Sequence, residues 1–377
     1  MVIAVDLRAL MSGNISGVET YITRLLKNLL EIDKKNEYIL YLNSAHDQKR
    51  VLENFKSPNV RTLQTKTPNR LFNALLVFLR WPKLDRVIQK RLGIRPDVFF
   101  IPDPRPAPVS RGVKKIMVAH DLAYRHFPAF FSWKTKLWYA FSNPRREMAE
   151  CSRIIAVSEA TKRDLIRTYG LLSDKITVIH EGIDENFSSE GGPSEESIRK
   201  KYLLPAQYFL FLSTLEPRKN ISRLVEGYKL FAKKHPRAGI KLVLAGKTNT
   251  SVFSNFRIDK DENIILPGFI DDKDKPLLYE MAEAFVYPSL FEGFGLPLLE
   301  ALKCGTPIIT SDRSSMPEVV GDAALLVNPE NSTAIAGALE KILQHDVRSA
   351  LRHKMAERIK FFSWEKTAEQ TLEVLNS

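Results

Sequence analysis

Cysteine is scarce in this chain: two in 377 residues, Cys151 and Cys304. That is too few for a disulfide framework, and a reducing compartment is the expectation. No run reaches the roughly 20 apolar residues of a membrane-crossing helix. The opening MVIAVDLRAL has Asp6 and Arg8 inside its apolar stretch, so it reads as a strand rather than a secretory leader. The G-x-G-x-x-G spacing of a dinucleotide site is missing, which argues against a nicotinamide dehydrogenase. No nucleic-acid motif, short repeat or low-complexity tract is present either, and no aspartate pair has the look of a manganese site. What remains is 44% hydrophobic and 27% charged, the composition of a soluble globular protein, in a length that calls for two domains.

Acid is the next shortage, and it is local. The net charge is +12, and residues 1–189 hold 31 Lys and Arg against 19 Asp and Glu, so the second half balances. Across residues 61–95 the only acid is Asp85, set among Arg61, Lys66, Arg70, Arg80, Lys83, Arg86, Lys90, Arg91 and Arg95. Interleaved with these are Leu71, Phe72, Leu75, Leu76, Phe78, Leu79, Trp81, Leu84, Val87 and Ile88. Basic and apolar residues on helical spacing fit an interfacial helix on an anionic membrane. A core helix with a solvated basic face is the plainer reading, and nucleic acid is the weakest.

Strands and helices alternate along the whole chain. Val2–Asp6 reads as a strand, followed by the loop Leu10–Val18 with Gly13 and Gly17 and by an amphipathic helix Glu19–Glu31. That order opens a doubly wound fold. Gly17, at a helix start, would let a phosphate or acceptor approach; a turn glycine is the alternative. Further strands are expected at Glu37–Leu42, Asp97–Ile101 and Lys115–Ala119. The last ends in His120-Asp121, at the C-terminal strand edge where ligands bind in open α/β sheets. The aromatic stretch Phe127–Phe141 suits core best, with an acceptor groove or lipid contact as alternatives. Ser158 caps a helix Glu159–Tyr169. The run Ser188–Glu196 (SSEGGPSEE) is placed as a domain linker, between domains 1–189 and 190–357. The second half repeats the alternation, with Gly246 and Lys247 closing one strand and Phe269-Ile270 following another.

The most informative stretch is Ser289–Glu300, SLFEGFGLPLLE. A strand, Ala284–Pro288, leads into a glycine loop, and Pro297 then suits the first turn of a helix. Such a loop aims backbone N–H groups and the positive helix end at one point, where a phosphate sits well. Glu292 and Glu300 would flank that phosphate. A carboxylate beside a diphosphate is repelled unless a hydroxyl intervenes, so the pair suggests a ligand with sugar on both sides of its phosphates. The plainer reading makes Glu292 a loop acid and Glu300 an acid favoured by the helix dipole. Arg218 and Lys219, in the loop TLEPRKN that leaves another strand, combine a planar fork with a mobile point charge, a plausible diphosphate clamp.

Together these pieces resemble the retaining glycosyltransferases of family 4. The matching elements are Gly17, His120-Asp121, HEGID at His180–Asp184, EPRKN at Glu216–Asn220, the Glu292-to-Glu300 element with its GFGLP core, and FSWEK at Phe362–Lys366. The openings VDLRAL and SGVETY look most like bacterial mannosyltransferases of surface polysaccharide assembly. The resemblance implies the GT-B fold: two Rossmann-like parallel-sheet domains facing a cleft, with a C-terminal helix (residues 358–377) crossing back to the first. It implies a donor, a GDP-sugar or UDP-sugar, held by the second domain and a glycan or lipid-linked acceptor held by the first. In that scheme Arg218 and Lys219 neutralise the diphosphate, and backbone N–H groups from Phe294 through Gly295 to Leu296 meet phosphate or sugar. Glu292 binds sugar hydroxyls, Glu300 the ribose, and Phe269 and Ile270 line the base pocket. Gly17 and Gly246 adjoin the donor, His120 meets the sugar or incoming acceptor, and Asp121 lies on the acceptor side. No metal or other cofactor is implied. One departure stands out: Ser213 and Thr214 occupy a place where relatives often carry a further basic residue.

The expected enzyme is therefore a cytoplasmic hexosyltransferase, peripheral at the inner face of the membrane through residues 61–95 and without a nucleic-acid partner. A non-hydrolysing nucleotide-sugar epimerase on the same scaffold is the rival, and a non-enzymatic sugar-nucleotide binder a third reading. Base, sugar and acceptor stay open.

Overall fold

A computed structural model describes residues 1–12, 17–46, 48–247 and 261–377. Gly13 lies outside them. The chain divides into two compact units. The first comprises Met1–Leu122, Lys136–Gly182 and Trp364–Ser377; the second comprises Ala123–Thr135 and Ile183–Ser363.

The first unit is built on seven parallel strands: β1 (Val2–Asp6), β2 (Glu37–Asn43), β3 (Val60–Thr65), β4 (Val98–Ile101), β5 (Lys114–Ala119), β6 (Arg153–Ala156) and β7 (Ile176–Val178). Their order is β3-β2-β1-β4-β5-β6-β7. Apart from Asp6 at the end of β1 and Lys114 and Lys115 at the start of β5, the central strands are apolar and largely buried, as strands covered on both faces must be. The helix Gly17–Ile32 buries Tyr21, Ile22, Leu25, Leu26, Leu29 and Leu30, a stripe at three- and four-residue spacing. The terminal helix Trp364–Asn376 packs on it. Trp364 is buried and meets the Tyr21 ring edge-on at 5.8 Å. Of residues 358–377, expected as one helix returning to the first domain, Trp364–Ser377 belong to the first unit, whereas residues 358–363 belong to the second.

Two expectations fail in this unit. Residues 61–95 do not form one interfacial helix. Arg61 lies on the edge strand β3, whose polar alternation (VRTLQT) gave no strand signal. A helical stretch runs over residues 69–79, stops where Arg80 turns left-handed (φ 50°), and a separate helix, Leu84–Leu92, follows. The aromatic stretch is not core either: Trp133, Leu137, Trp138 and Phe141 are exposed.

Among its described residues the second unit holds six parallel strands: β8 (Tyr208–Leu212), β9 (Lys241–Ala245), β10 (Ile264–Gly268), β11 (Ala284–Tyr287), β12 (Ile308–Ser311) and β13 (Leu325–Val327). Their order is β10-β9-β8-β11-β12-β13. The chain winds outward from β8 in one direction and resumes from β11 in the other, so the switch point falls between β8 and β11, where open α/β sheets bind ligands. The polar run Ser188–Glu196 placed as a linker runs into a helix: Ser194 Oγ accepts from Ser197 N at 3.3 Å and caps the helix Glu195–Tyr202.

The exit of β8 is held by its neighbours. Ser213 N donates to Ala245 O at 3.1 Å, and Gly246 N donates to Gly268 O at 2.7 Å. Gly246 has φ 140°, and a Cβ there would fall 1.8 Å from Ser213 O. Packing alone therefore demands glycine at this position. We expect Gly246→Ala to destabilise the protein by about 2 kcal/mol or more in urea titration; wild-type stability would show that the β8 exit can move aside.

Candidate functional site

Two neighbouring strand ends assemble the site. After β8 the chain runs through Glu216 into one 3-10 turn, Pro217–Lys219, and then through Asn220 (φ 60°) into the helix Ile221–Lys234. After β11 it runs through Pro288–Gly295 into the helix Leu296–Lys303, with Gly295 left-handed (φ 111°) at its start. Leu290 N donates to Arg218 O at 2.9 Å, and Asn220 Nδ2 donates to Pro288 O at 3.1 Å, so the two loops are joined by main chain as well as side chains.

Glu292 sits between two cations. Arg218 Nη1 donates to Glu292 Oε2 at 2.7 Å and to Phe291 O at 2.7 Å, while its Nη2 donates to Glu216 Oε1 at 2.6 Å. Lys219 Nζ donates to Glu292 Oε1 at 2.8 Å and to Tyr287 Oη at 2.5 Å. Glu216, Lys219 and Glu292 are all buried. The main chain is fixed too: Ser314 Oγ donates to Glu292 O at 2.6 Å, and Ser315 Oγ to Phe294 O at 2.8 Å. The expected clamp of two cations is thus a balanced network of two cations and two carboxylates. Burial alone would raise the Glu292 pKa, but Arg218 and Lys219 outweigh it and hold the carboxyl at about 2.

Glu300 occupies a different setting. Its Oε2 accepts from Tyr279 Oη at 2.7 Å, and Lys275 Nζ is 4.0 Å from its Oε1. Burial prevails here, and its pKa is raised although Lys275 and Tyr279 pull the other way. Two glutamates on one loop-and-helix element therefore have pKa values pushed in opposite directions. Phe294 is buried against Phe362, 5.8 Å between centroids, and Leu296 begins the helix. Ile270 is buried, whereas Phe269 is exposed with Lys247 Nζ 4.3 Å from its ring centroid.

In the first unit His120 leaves β5, one strand over from the switch point between β1 and β4. Its Nε2 is 2.8 Å from Pro102 O, and its Nδ1 is 3.8 Å from Glu181 Oε1. Burial lowers its pKa, but Glu181 and Asp103 outweigh that and raise it. Tyr21 packs edge-on to the imidazole at 4.9 Å, and Thr161 Oγ1 donates to His120 O at 3.1 Å. Asp121 follows, half-buried. Gly17 is exposed at the start of its helix, and a Cβ there would meet nothing within 4 Å.

Sequence reading brought Arg218, Lys219 and Glu292 together correctly, but it missed their partners. Tyr287 looked like any strand aromatic and Glu216 like a loop acid. Glu181 could have been found, since it stands in HEGID beside a strand exit. His126 was also missed; it and Phe127, which opens the aromatic stretch, lie on Phe291, 5.1 and 6.0 Å between centroids, and no local pattern announces a contact across that sequence distance.

Glu292 has a folded pKa below its unfolded value near 4.3, so its stabilisation is present above that value and is lost as pH falls through about 2. We expect acid titration of stability to show a loss on the order of 3 kcal/mol across this window, absent in Glu292→Gln. Removing the charge leaves Glu216 as the one carboxylate of the network facing both Arg218 and Lys219, so the variant should itself be less stable at pH 7 by about 3 kcal/mol. Unchanged acid sensitivity would show that the ion pairs contribute nothing.

Comparison with known proteins places this geometry. The family model for Glycosyltransferase Family 4 matches residues 15–187, and that for Glycosyl transferases group 1 matches residues 194–361. O-antigen chain mannosyltransferase B of Escherichia coli is 31% identical over 265 residues, covering 69% of this chain and 69% of that protein. The serotype-specific mannosyltransferase WbdA of Escherichia coli is 30% identical over 271 residues, 69% of this chain but only 33% of that longer protein. Among solved structures, Anabaena HepE in complex with UDP and glucose has a TM-score of 0.71 at 18% identity, covering 100% of this chain and 99% of that one. WaaG, a glycosyltransferase involved in lipopolysaccharide biosynthesis, has a TM-score of 0.68 at 14% identity, covering 100% and 99%.

Proposed function

This chain belongs to the glycosyltransferases of the GT-B fold related to the bacterial O-antigen mannosyltransferases, and from that membership we propose that it moves a hexose from a nucleotide diphosphate sugar to a glycan or lipid-linked acceptor, retaining the anomeric configuration, in surface polysaccharide synthesis. The observation that carries the reading is the Glu292 carboxylate held between Arg218 and Lys219 at the switch point of the second sheet.

A diphosphate leaving group needs fixed positive charge where its own charge develops. Arg218, Lys219 and the start of the helix Leu296–Lys303 supply it in a largely buried site. Glu292 uses one hydrogen bond on each oxygen for the two cations. A carboxylate has about four acceptor positions, so sugar hydroxyls take the remainder. Glu300, with its raised pKa, takes the ribose hydroxyls, and the exposed Phe269 ring stacks the base. His120, oriented by Pro102 O and Glu181, serves the sugar or the arriving acceptor, with Asp121 beside it. Although Glu216 and Glu292 balance Arg218 and Lys219, the two cations are proposed to turn toward the diphosphate as its charge develops, and transfer is proposed to need no metal.

Mannose is the favoured sugar because the similar E. coli proteins are mannosyltransferases. The structural neighbour HepE was solved in complex with UDP and glucose, so GDP and UDP donors both belong in the first screen. The cytoplasmic side of an anionic membrane is the proposed place of work, with residues 61–95 on the membrane side. Among the described residues no helix is long and apolar enough to cross a membrane.

The deciding experiment incubates the protein with each sugar nucleotide, with and without acceptor. Nucleoside diphosphate release with the anomeric configuration kept in the product supports the reading; an isomerised sugar nucleotide without acceptor supports the epimerase. Lys219→Met is expected to weaken donor binding tenfold or more, about 1.4 kcal/mol, by calorimetry; an unchanged Kd removes Lys219 from the donor site. Chelator is expected to leave the rate unchanged, and full loss restored by manganese would overturn the metal-free scheme.

A further inference from the structure

The first unit carries an apolar surface that sugar transfer does not use. In the turn that ends the helical stretch 69–79, Phe78, Leu79 and Trp81 are exposed, and so are Leu137, Trp138 and Phe141 on the helix Trp133–Ser142. All six lie between 40% and 67% exposed. The two segments meet: the Phe78 and Phe141 rings are 5.3 Å apart, edge to face. Leu137 and Phe141 stand one turn apart on the same helical face, with Trp138 beside them. Soluble proteins seldom gather so many large side chains in water without a partner for them.

The surroundings say which partner. Lys136, next to Leu137 in the chain, and Arg70, two turns before Phe78 on the helical stretch, are exposed, and Lys83 is half-buried two residues after Trp81. Acids are turned away from solvent or already bound. Residues 124–146 contain none, and Asp85, alone in residues 61–95, is buried and accepts from Ser110 N at 2.8 Å. The next acids along the chain, Glu147 and Glu150, are both bonded by Arg80. Arg80 does more than cancel charge. It sits between Leu79 and Trp81 in a left-handed conformation, and its partner Glu147 is buried and also bonded by Lys115 of β5. The exposed turn is thereby pinned to the core and presents its side chains without further ordering.

We propose that Phe78, Leu79 and Trp81, together with Leu137, Trp138 and Phe141, form a rigid insertion surface for an anionic phospholipid membrane. Aromatic rings enter the headgroup boundary and Arg70, Lys83 and Lys136 meet the lipid phosphates. The docking element is a two-segment aromatic patch rather than an amphipathic helix over residues 61–95. This deepens the membrane side of the proposed function, and its test reads binding apart from sugar transfer.

The full chain is floated with vesicles of phosphatidylglycerol mixed with phosphatidylcholine, and with phosphatidylcholine alone. Wild type is expected to float with the anionic vesicles and to shift its tryptophan emission to the blue. The triple variant Phe78→Ser, Trp81→Ser, Phe141→Ser should lose vesicle partitioning about tenfold or more, with thermal stability and donor hydrolysis unchanged. Lys83→Glu with Lys136→Glu should lose only the preference for anionic lipid, and Trp81→Phe should float like wild type. If the triple variant floats as well as wild type, the patch is not the insertion surface. Wild type that stays off the vesicles but forms dimers in sedimentation, lost in the triple variant, would overturn the proposal in favour of self-association. Loss of donor turnover with flotation intact would count against the transferase reading and leave this surface standing.

Discussion

A carboxylate out of water is stable as an ion only when positive charge stands against it, and Glu292 has two cations within hydrogen-bond reach. That requirement ties together parts of the second unit that are far apart in sequence. Arg218 and Lys219 come from the β8 exit and Glu292 from the β11 exit. Adjacent parallel strands bring the two within 3 Å. The positive φ of Gly246, the left-handed Asn220 and the Ser314 and Ser315 hydroxyls all fix backbone on one side or the other of this contact. An ion pair of this kind often adds less to stability than an apolar substitute would, and what it leaves at the switch point is a fixed arrangement of charge.

The same logic separates the remaining titratable groups. Glu300 is nearly as sheltered but has one lysine at 4.0 Å and a tyrosine hydroxyl, too little to offset burial, so it holds its proton more readily than Glu292. His120 is moved the other way from what burial alone would give, because Glu181 and Asp103 favour its charged form. Each shift follows from whether the local opposite charge exceeds the desolvation cost.

Much of this was readable in the sequence, for reasons that differ by element. Strands such as Val98–Ile101 and Ala284–Tyr287 are continuous apolar runs flanked closely by proline, and the helix Glu159–Tyr169 has a capping serine and clear periodicity, so their positions were legible nearly to the residue. The edge strand Val60–Thr65 was not, since an edge strand faces water on one side and tolerates polar residues. The basic segment misled because an apolar spacing of three and four also arises when two short helices follow each other; nothing local revealed the left-handed Arg80, whose conformation is held by Glu147, 67 residues away. For the site, residue type and loop position pointed to Arg218, Lys219, Glu292 and Glu300. Tyr287, Glu216 and His126 were hidden because their significance lies in three-dimensional neighbours that no spacing rule encodes.

The helix Trp364–Asn376 belongs to the first unit yet is written after the whole of the second. A chain emerging from the ribosome therefore displays the first sheet, with the face of Gly17–Ile32 still uncovered, while some 180 further residues are being made. The second unit has all its pieces before the first has its last one. Maturation order is thus the reverse of synthesis order, and the half of the molecule translated first is the half that waits longest in need of protection.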